Sequence, residues 1–338
     1  MILYSIVCCD VDPDRPIFGG LEAGRLGPQV WKGAEKCFEY VHDLRRTIRA
    51  KHLSEFRLTW FMRADRQVGD LYGDEAYCLR EFETQWKRAQ EQGDSIGWHP
   101  HTWRWNEHHR CWFQETADPR WIAKMLQEGF DSFVRAAGFN PQSARMGWDF
   151  HDNASIGILD KLGIKADLSC VPNMKGRGGR TVASKVNIYD WIGSPNVPFH
   201  PRRNDYRHPA LSRAESLKLV EIPMTTYKTR LMEKEYLRGI VPLMRKPMHR
   251  FPSSLKRPIL GRTRILFATA RSSAFKNAVA RISIDVPYIG CYFHPDELID
   301  EILHANFQEN MSWLASLGVK FLDADNAIHT LIEGDSVS

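Results

Sequence analysis

The sequence lacks several features that would assign the chain to a class at once. No apolar run approaches the ~18 residues of a membrane-spanning helix. The seven cysteines form no CxxC pair, so we expect neither a cysteine zinc site nor a disulfide framework, and we interpret them as small buried side chains. The phosphate loops GxGxxG and GxxxxGK[ST] are also missing, which argues against a nucleotide-binding doubly wound sheet.

The N-terminus carries no basic leader and no small-residue cleavage site. Residues 2–9 are mostly apolar and are followed by Asp10 and Asp12, which favours a buried strand over a secretory signal. We therefore expect the protein to act in a reducing cytoplasm.

The composition is that of a globular protein, with 338 residues of which 43% are hydrophobic and 26% charged. The net charge of +5 is unevenly distributed. Residues 225–281 hold 14 Lys and Arg against two Glu, whereas the rest of the chain holds 32 basic against 39 acidic residues. We interpret 225–281 as a basic insertion that contacts a diphosphate or an anionic lipid surface, although a solvated surface segment fits equally well. No nucleic-acid-binding motif accompanies it, so nucleic acid is not expected as a partner.

Strand-like and helix-like segments alternate along the chain, which predicts an α/β fold with a parallel sheet. The predicted strands are 2–9, 56–62, 95–98, 143–148, 164–169, 217–223, 286–293 and 319–324. The predicted helices are 30–48, 79–89, 121–136, 153–162 and 298–314, with Asn153 as a cap of the fourth.

Polar residues recur where the predicted strands end, at Asp10, Asp12, Asp65, His99, His101, Arg145, Asp167, Glu221 and His294. Barrels of β/α units gather such residues from many strand ends onto one face, whereas a doubly wound sheet concentrates them at one switch point. We therefore predict a distorted (β/α) barrel of about seven strands. Residues 1–338 would form this single domain, interrupted by the insertion 225–281.

Three of these residues have the chemistry of a metal site. Asp10 and Asp12 lie on one strand face, and Pro100 keeps His99 and His101 in an extended segment from which both imidazoles project the same way. Asp12, His99 and His101 would form a set of two histidines and one carboxylate, which suits catalytic zinc and also non-haem iron(II). The alternative is a pair of half-buried histidines, each satisfied by a hydrogen bond.

The remaining strand-end residues suit acid–base chemistry. Asp10 would accept a proton from water, and Arg145 would orient Asp10 through paired hydrogen bonds. His294 is a candidate general acid, because imidazole titrates near neutral pH. The simpler alternatives are a surface ion pair for Arg145 and a capping or core position for His294.

Seven short segments, taken in chain order, resemble the polysaccharide deacetylase superfamily with its NodB-homology domain (carbohydrate esterase family four). The segments are CDVD, GWHPHTWRW, ARMGW, LGIKADLS, DW, VEIP and YFHPDEL. The resemblance runs from residue 2 to about residue 325 without the insertion. It implies a distorted β/α barrel that removes acetyl groups from glycans with one divalent metal ion.

The resemblance also implies roles for individual residues. These are Asp10 as catalytic base, Asp12 and His99 as metal ligands, Arg145 as the arginine that tunes the base, the Trp148 backbone N–H in the oxyanion hole, and His294 as catalytic acid.

Two segments depart from the family pattern. The pattern HxxxH would place the second histidine where this chain has Trp103, so we predict His101 as the second ligand, with His108 and His109 as fallbacks. The segment RMGW also lacks the proline of the usual RxPY, because Gly147 stands in its place.

Tryptophans are concentrated near the predicted site, and aromatic faces suit sugar rings. Trp103, Trp105 and Trp191 are therefore predicted to line a sugar groove, with packing as the alternative role. We expect His200 and His208 to be structural or solvent-facing rather than ligands.

The sequence thus predicts a metal-dependent hydrolase that removes an acetyl group from a sugar, with an N-acetylamino sugar favoured over an O-acetyl one. The expected substrate is a glycan or a nucleotide-linked or lipid-linked precursor of surface polysaccharide, met in the cytoplasm or at a membrane surface. Zinc is the favoured ion, although other divalent ions fit. Hydrolysis of another C–N amide, or a degenerate domain that binds glycan or a partner protein, are the alternatives. The oligomeric state is not predicted.

Overall fold

A computed structural model describes residues 4–14, 29–108, 110–177, 187–229, 263–282 and 286–333. The strands are β1 (Tyr4–Val11), β2 (Thr59–Arg63), β3 (Ser95–His99), β4 (Trp103–Asn106), β5 (Cys111–Gln114), β6 (Ser143–Ala144), β7 (Ala166–Asp167), β8 (Lys175–Arg177), β9 (Asn187–Asp190), β10 (Pro201–Arg202), β11 (Asp205–Pro209), β12 (Val220–Glu221), β13 (Thr226–Lys228), β14 (Thr263–Ile265), β15 (Tyr288–Phe293) and β16 (Lys320–Leu322). The α-helices are α1 (Lys32–His52), α2 (Arg66–Tyr72), α3 (Tyr77–Glu81), α4 (Glu83–Glu91), α5 (Pro119–Ala137), α6 (Asn153–Leu162), α7 (Ser272–Val279), α8 (Glu301–Ser316) and α9 (Ala324–Ile328). Single helical turns cover Gly147–Asp149, Pro295–Ile299 and His329–Glu333.

One curled parallel sheet organises the molecule. Its strand order is β12-β7-β6-β3-β2-β1-β15, and β16 also pairs with β1. Every neighbouring pair in this sheet is parallel. The prediction of an α/β fold with about seven strands in a distorted barrel is therefore confirmed.

The side chains of β1 alternate between two hydrophobic clusters. Val7 and Cys9 pack in the cluster that includes the buried face of α1, whereas Ile6 and Cys8 pack in the cluster inside the curl of the sheet. Because side chains alternate with period two, Asp10 continues the inner row at the carboxyl end of the strand. The hydrophobic pattern thus places this carboxylate at the mouth of the curled sheet.

Several elements differ from the prediction. The helix expected over residues 79–89 is divided between α3 and α4, because Phe82 leaves helical geometry. Strand β6 is much shorter than the predicted 143–148, because the chain turns at Gly147–Asp149. The cap of α6 is Asp152 rather than Asn153, and Asp152 forms a capping box with Ser155.

The cysteines agree with the interpretation as small buried side chains, since all seven are buried and free. Within the described ranges, no helix is both long and apolar enough to cross a bilayer. Most of the basic insertion, residues 230–262, lies outside the described residues.

Candidate active site

The carboxyl ends of the parallel strands bring the predicted polar residues to one edge of the sheet. Asp10 and Asp12 come from β1 and its end, His99 and His101 from the end of β3, and Arg145, His294 and the rest follow other strands. Asp12, His99 and His101 are all buried, and one ligand atom from each lies within 4.8 Å of the others. The structure therefore assembles residues that are about ninety positions apart in the chain.

The three side chains face a common point. The Nε2 atoms of His99 and His101 are 3.1 Å apart. The Asp12 carboxylate places Oδ2 at 3.8 Å from the His99 Nε2 and Oδ1 at 3.6 Å from the His101 Nε2. Two imidazole nitrogens and a carboxylate oxygen at this spacing can hold a divalent metal ion.

A backbone carbonyl orients the His99 imidazole, whereas ring stacking positions the His101 imidazole. The His99 Nδ1–H donates to the Arg145 carbonyl at 2.6 Å, which leaves the Nε2 lone pair free for a cation. The His101 N–H donates to Asp65 Oδ2 at 3.2 Å, and its ring stacks on Trp103 with centroids 6.1 Å apart. The segment is thus held by groups from two other parts of the chain and by its own Trp103.

Asp12, His99 and His101 are called the metal trio below. Arg63 lies behind this trio, and the sequence did not identify it as a site residue. Its Nη1 donates to Asp12 Oδ1 at 3.0 Å, and its Nε donates to Asp65 Oδ2 at 2.7 Å. Its only sequence signal is its position at the end of β2. Arg63 therefore neutralises and fixes two carboxylates of this edge.

These charges determine the protonation of the trio. Burial alone would raise the pKa of Asp12, but Arg63 and His101 outweigh burial and hold that pKa well below its usual range. Burial and the neighbouring Arg63 lower the pKa of His101 to about 4, so its imidazole is neutral at pH 7. Burial opposes the charged form of His99, but the carboxylates of Asp10 and Asp12 outweigh it and raise the pKa.

Asp10 is held by a buried arginine. Arg145 Nε donates to both Asp10 oxygens at 3.0 Å, Nη1 donates to the Leu168 carbonyl at 2.6 Å, and Nη2 donates to Asp149 at 2.9 Å. The guanidinium also lies 4.1 Å from the ring centroid of Tyr292. Each of its nitrogens is engaged, so Arg145 presents Asp10 in one fixed orientation.

His294 follows β15 and lies at the same edge of the sheet, beside Asp10 and Asp12. Its Nε2 lies 4.0 Å from Asp10 Oδ2 and 3.9 Å from Asp12 Oδ2. Its Nδ1 is 3.2 Å from Glu297 Oε1, and the Thr269 hydroxyl donates to the other Glu297 oxygen at 2.6 Å. Sequence analysis missed Glu297 and Thr269. The three-residue spacing of Glu297 from His294 is the one signal that could have indicated the former.

The tryptophans divide between the rim and the interior. Trp103 is buried against His101 and meets the half-buried Trp148 edge to face, with centroids 6.0 Å apart. Trp105 is half-buried and packs against Trp112 on the β4–β5 hairpin. Trp191 is 0% exposed and donates its indole N–H to the Asp149 carbonyl, so the expectation that it lines a sugar groove is wrong for this structure.

The other described histidines that the sequence pointed to are not grouped with Asp12, His99 and His101. His108 is exposed in the β4–β5 turn, and His109 is outside the described residues. His200 contacts the Leu219 carbonyl, and His208 lies 3.6 Å from Asp205, which agrees with a structural or solvent-facing position.

Comparisons with known proteins give a likeness in fold. No family model and no curated protein match the chain. A Parabacteroides distasonis protein, assigned provisionally as a glycoside hydrolase or deacetylase, is 12% identical with a TM-score of 0.48, over 97% of this chain and 67% of that one.

Two further structures are similar at the same level. A peptidoglycan deacetylase of Bacillus subtilis is 8% identical with a TM-score of 0.42, over 99% of this chain and 94% of that one. A carbohydrate esterase family 4 pseudoenzyme of Bacillus anthracis is 10% identical with a TM-score of 0.41, over 96% of this chain and 65% of that one. Likeness at this level assigns no activity, so the function rests on the side chains of the site.

Proposed function

We propose that the chain is a metal-dependent deacetylase, a hydrolase that removes an acetyl group from an acetylated sugar. The observation that carries the proposal is the position of His294. Its Nε2 lies about equally far from Asp10, held by Arg145, and from Asp12 of the metal trio. A proton acceptor and a proton donor therefore face the same point, which is what hydrolysis of an amide or ester requires.

The trio fits a divalent metal ion. Both Nε2 atoms face the Asp12 carboxylate, and the His99 Nδ1 is already committed to a backbone carbonyl. His101 is neutral at pH 7 and is therefore ready to act as a ligand. Asp12, His99 and His101 would hold the ion, and zinc is the ion we favour. When bound, it would polarise an acyl carbonyl as a Lewis acid.

The chain's own residues account for the proton transfers. Asp10, fixed by Arg145, accepts a proton from the attacking water. His294 donates a proton to the departing sugar nitrogen or oxygen, and Glu297 keeps its imidazole oriented through Nδ1. The proton balance closes, because the acid and the base are returned to their starting states by exchange with solvent.

The turn at Trp148 suits an oxyanion donor. Its backbone is left-handed, with φ 60°, and its N–H donates to no acceptor in the described part of the chain. A free backbone N–H at this point would stabilise the negative charge that develops on the acyl oxygen. Trp103 and Trp105 are the aromatic side chains that we propose for sugar contact.

The wider setting belongs to the same proposal. We infer that the described strands belong to one catalytic domain, because β15 and β16, late in the chain, both pair with β1. The proposed substrate is a glycan or a nucleotide-linked or lipid-linked acetylamino sugar, met in the cytoplasm or at a membrane surface. The insertion 225–281 would contact its diphosphate or an anionic lipid.

Asp10→Asn tests the proposal. The substitution preserves shape and removes the base, so acetate release should fall at least ~100-fold while the metal content of the protein is unchanged. Acetate is measured with zinc-loaded protein on N-acetylglucosamine oligosaccharides, a nucleotide-linked N-acetylamino sugar and an aryl acetate.

Asp43→Asn is the matched control, because Asp43 is an exposed aspartate of α1 remote from the site, and it should behave like the wild type. Undiminished acetate release by Asp10→Asn would refute the role of Asp10. Absence of acetate from every substrate, with zinc bound, would instead favour a degenerate binding domain.

A further inference from the structure

A second group of metal-ligating side chains lies apart from the chemistry described above. His151, Asp167 and Glu221 are all buried, and one ligand atom from each lies within 4.8 Å of the others. Neither the metal trio nor the acid–base pair uses them. The group therefore needs its own explanation.

Strand pairing places the two carboxylates side by side. β7 and β12 are parallel neighbours, and Glu221 stands opposite Asp167 in their register. The His151 Nε2 approaches Asp167 Oδ2 to 3.1 Å, and the Trp191 and Tyr206 rings pack around the imidazole. Two acids and an imidazole thus share a site with aromatic walls and no exposed side-chain surface.

No cation of the described ranges forms an ion pair with the Glu221 carboxylate. Neither oxygen makes a hydrogen bond of good geometry there, although the Asp167 carboxylate and the Cys170 backbone N–H adjoin it. Arg145 is near enough to act on Glu221 electrostatically, but its guanidinium already forms ion pairs with Asp10 and Asp149. An isolated buried carboxylate is costly, so a proton or a cation must balance this one.

The hydrogen bonds of His151 indicate which nitrogen would face a cation. The Ser155 hydroxyl accepts from the Asp152 N–H at 2.9 Å and donates to the Asp152 carbonyl at 3.1 Å. The hydroxyl proton is therefore used, and Ser155 accepts from the His151 Nδ1–H at 3.0 Å. In the neutral imidazole the Nε2 lone pair then points at Asp167, an arrangement that a bound cation would satisfy.

We propose that His151, Asp167 and Glu221 bind a second divalent cation of the zinc or manganese class. Two carboxylates and one imidazole suit these ions, and full enclosure is typical of a structural site. The ion would neutralise the Glu221 carboxylate and would tie His151 to β7 and β12. Because His151 follows the turn at Trp148, the ion would also anchor that turn.

Metal content of the purified full-length chain tests the proposal. After saturation with zinc or manganese and removal of free metal, elemental analysis should find two ions per wild-type chain. Asp12→Asn and Glu221→Gln should each retain one ion, and the double variant none. Glu215→Gln, at an exposed glutamate, is the matched control and should retain both.

The outcomes separate this site from the proposed active site. One ion in the wild type that is lost in Asp12→Asn and kept in Glu221→Gln would overturn the second site and leave the first intact. One ion that is kept in Asp12→Asn and lost in Glu221→Gln would support the second site and overturn the first. Circular dichroism checks that each variant is folded.

A direct measurement covers the case in which Glu221→Gln does not fold. Wild-type crystals grown with zinc should show an anomalous peak between His151, Asp167 and Glu221 at the zinc absorption edge. Absence of that peak, with a peak present at Asp12, would mean that the second cluster holds protons only and would overturn the proposal.

Discussion

At the scale of single residues, the contact of His101 with Gly147 links the two departures from the deacetylase pattern. A Cβ atom at Gly147 would overlap the His101 imidazole. The family pattern that the motifs resemble has a proline at this position and a histidine four residues after the first ligand. A ligand at 101 therefore requires a residue without a side chain at 147, and the chain has glycine there.

Gly147→Ala should weaken zinc binding by about 10- to 100-fold, because it displaces one of the three proposed ligands without removing any of them. The dissociation constant is measured by competition with a chromophoric chelator, in the Glu221→Gln background so that one class of site is counted. Gly157→Ala in α6 is the control, since its added methyl group meets no atom within 4 Å. An unchanged constant for Gly147→Ala would show that His101 does not bind the ion.

The sequence could indicate which polar residues share an edge, but not how each is supported. Asp10, Asp12 and His99 each follow an apolar run, so the end of a strand marks them. Arg63 also ends a strand, but its role depends on Asp12, which comes from another strand. Glu297 follows no apolar run, and only its spacing from His294 marks it. Trp191 shows the reverse error, since its aromatic side chain suggested a sugar contact, whereas its indole is enclosed.

At the scale of elements, one buried carboxylate joins a helix to two strands. Asp94, just before β3, accepts from Arg45 of α1 at 2.6 and 2.7 Å. It also accepts from the Leu58 N–H at 3.1 Å and from the Trp60 indole N–H at 2.8 Å. Three donors, through four hydrogen bonds, thus depend on one residue that carries no chemistry of the site.

Asp94→Ala should lower the free energy of unfolding by about 3 kcal/mol, because it leaves buried donors and an arginine without an acceptor. Urea denaturation measures this change. Asp43→Ala removes an exposed ion pair on the same helix and should change stability by less than about 0.5 kcal/mol. Equal effects of the two substitutions would contradict the role of Asp94.

A largely buried carboxyl group in α9, that of Asp325, should make the stability of the protein depend on pH. Burial, with a further contribution from Asp323, raises the pKa of Asp325 to about 6. Its protonated form is favoured in the folded state, so its stabilising contribution is full below pH ~4 and is lost as pH rises through about 6. Asp325→Asn should therefore stabilise the protein at pH 8 by about 1–3 kcal/mol relative to its effect at pH 4. Urea denaturation at both pH values measures it, and a pH-independent effect would contradict the assignment.

Element type was more predictable than element length. Apolar periodicity indicated α1, α5 and the strands of the sheet, because each buries one regular face. The α2 helix and the β4–β5 hairpin were missed, since both are short and depend on local caps and pairing rather than on a long apolar face. Strand β6 ends early for a tertiary reason, because the turn that follows it packs Gly147 against His101.

At the scale of the whole molecule, the two edges of the sheet approach each other beside β15. The Thr225 N–H donates to the Gly290 carbonyl at 2.9 Å, and the Gly290 N–H donates to the Thr225 hydroxyl at 3.0 Å. Thr225 follows closely on β12, which forms the other edge of the sheet. The sheet is thus closed by this short connection, which alternation of strands and helices alone could not predict.

The Gly290→Val substitution distinguishes two effects on stability: the β propensity of valine and steric crowding where the sheet edges meet. Propensity alone predicts that a β-branched residue in this buried strand stabilises the fold. Closure predicts the opposite, because an added Cβ would lie 3.1 Å from the Pro223 carbonyl oxygen and 3.2 Å from the Met224 Cα, both backbone atoms. We expect a loss of about 1–3 kcal/mol in the free energy of unfolding, measured in urea. Cys291→Val, one residue along on the opposite face, should cost less than about 1.5 kcal/mol. A Gly290→Val protein more stable than the wild type would mean that β15 is not held against the segment that follows β12.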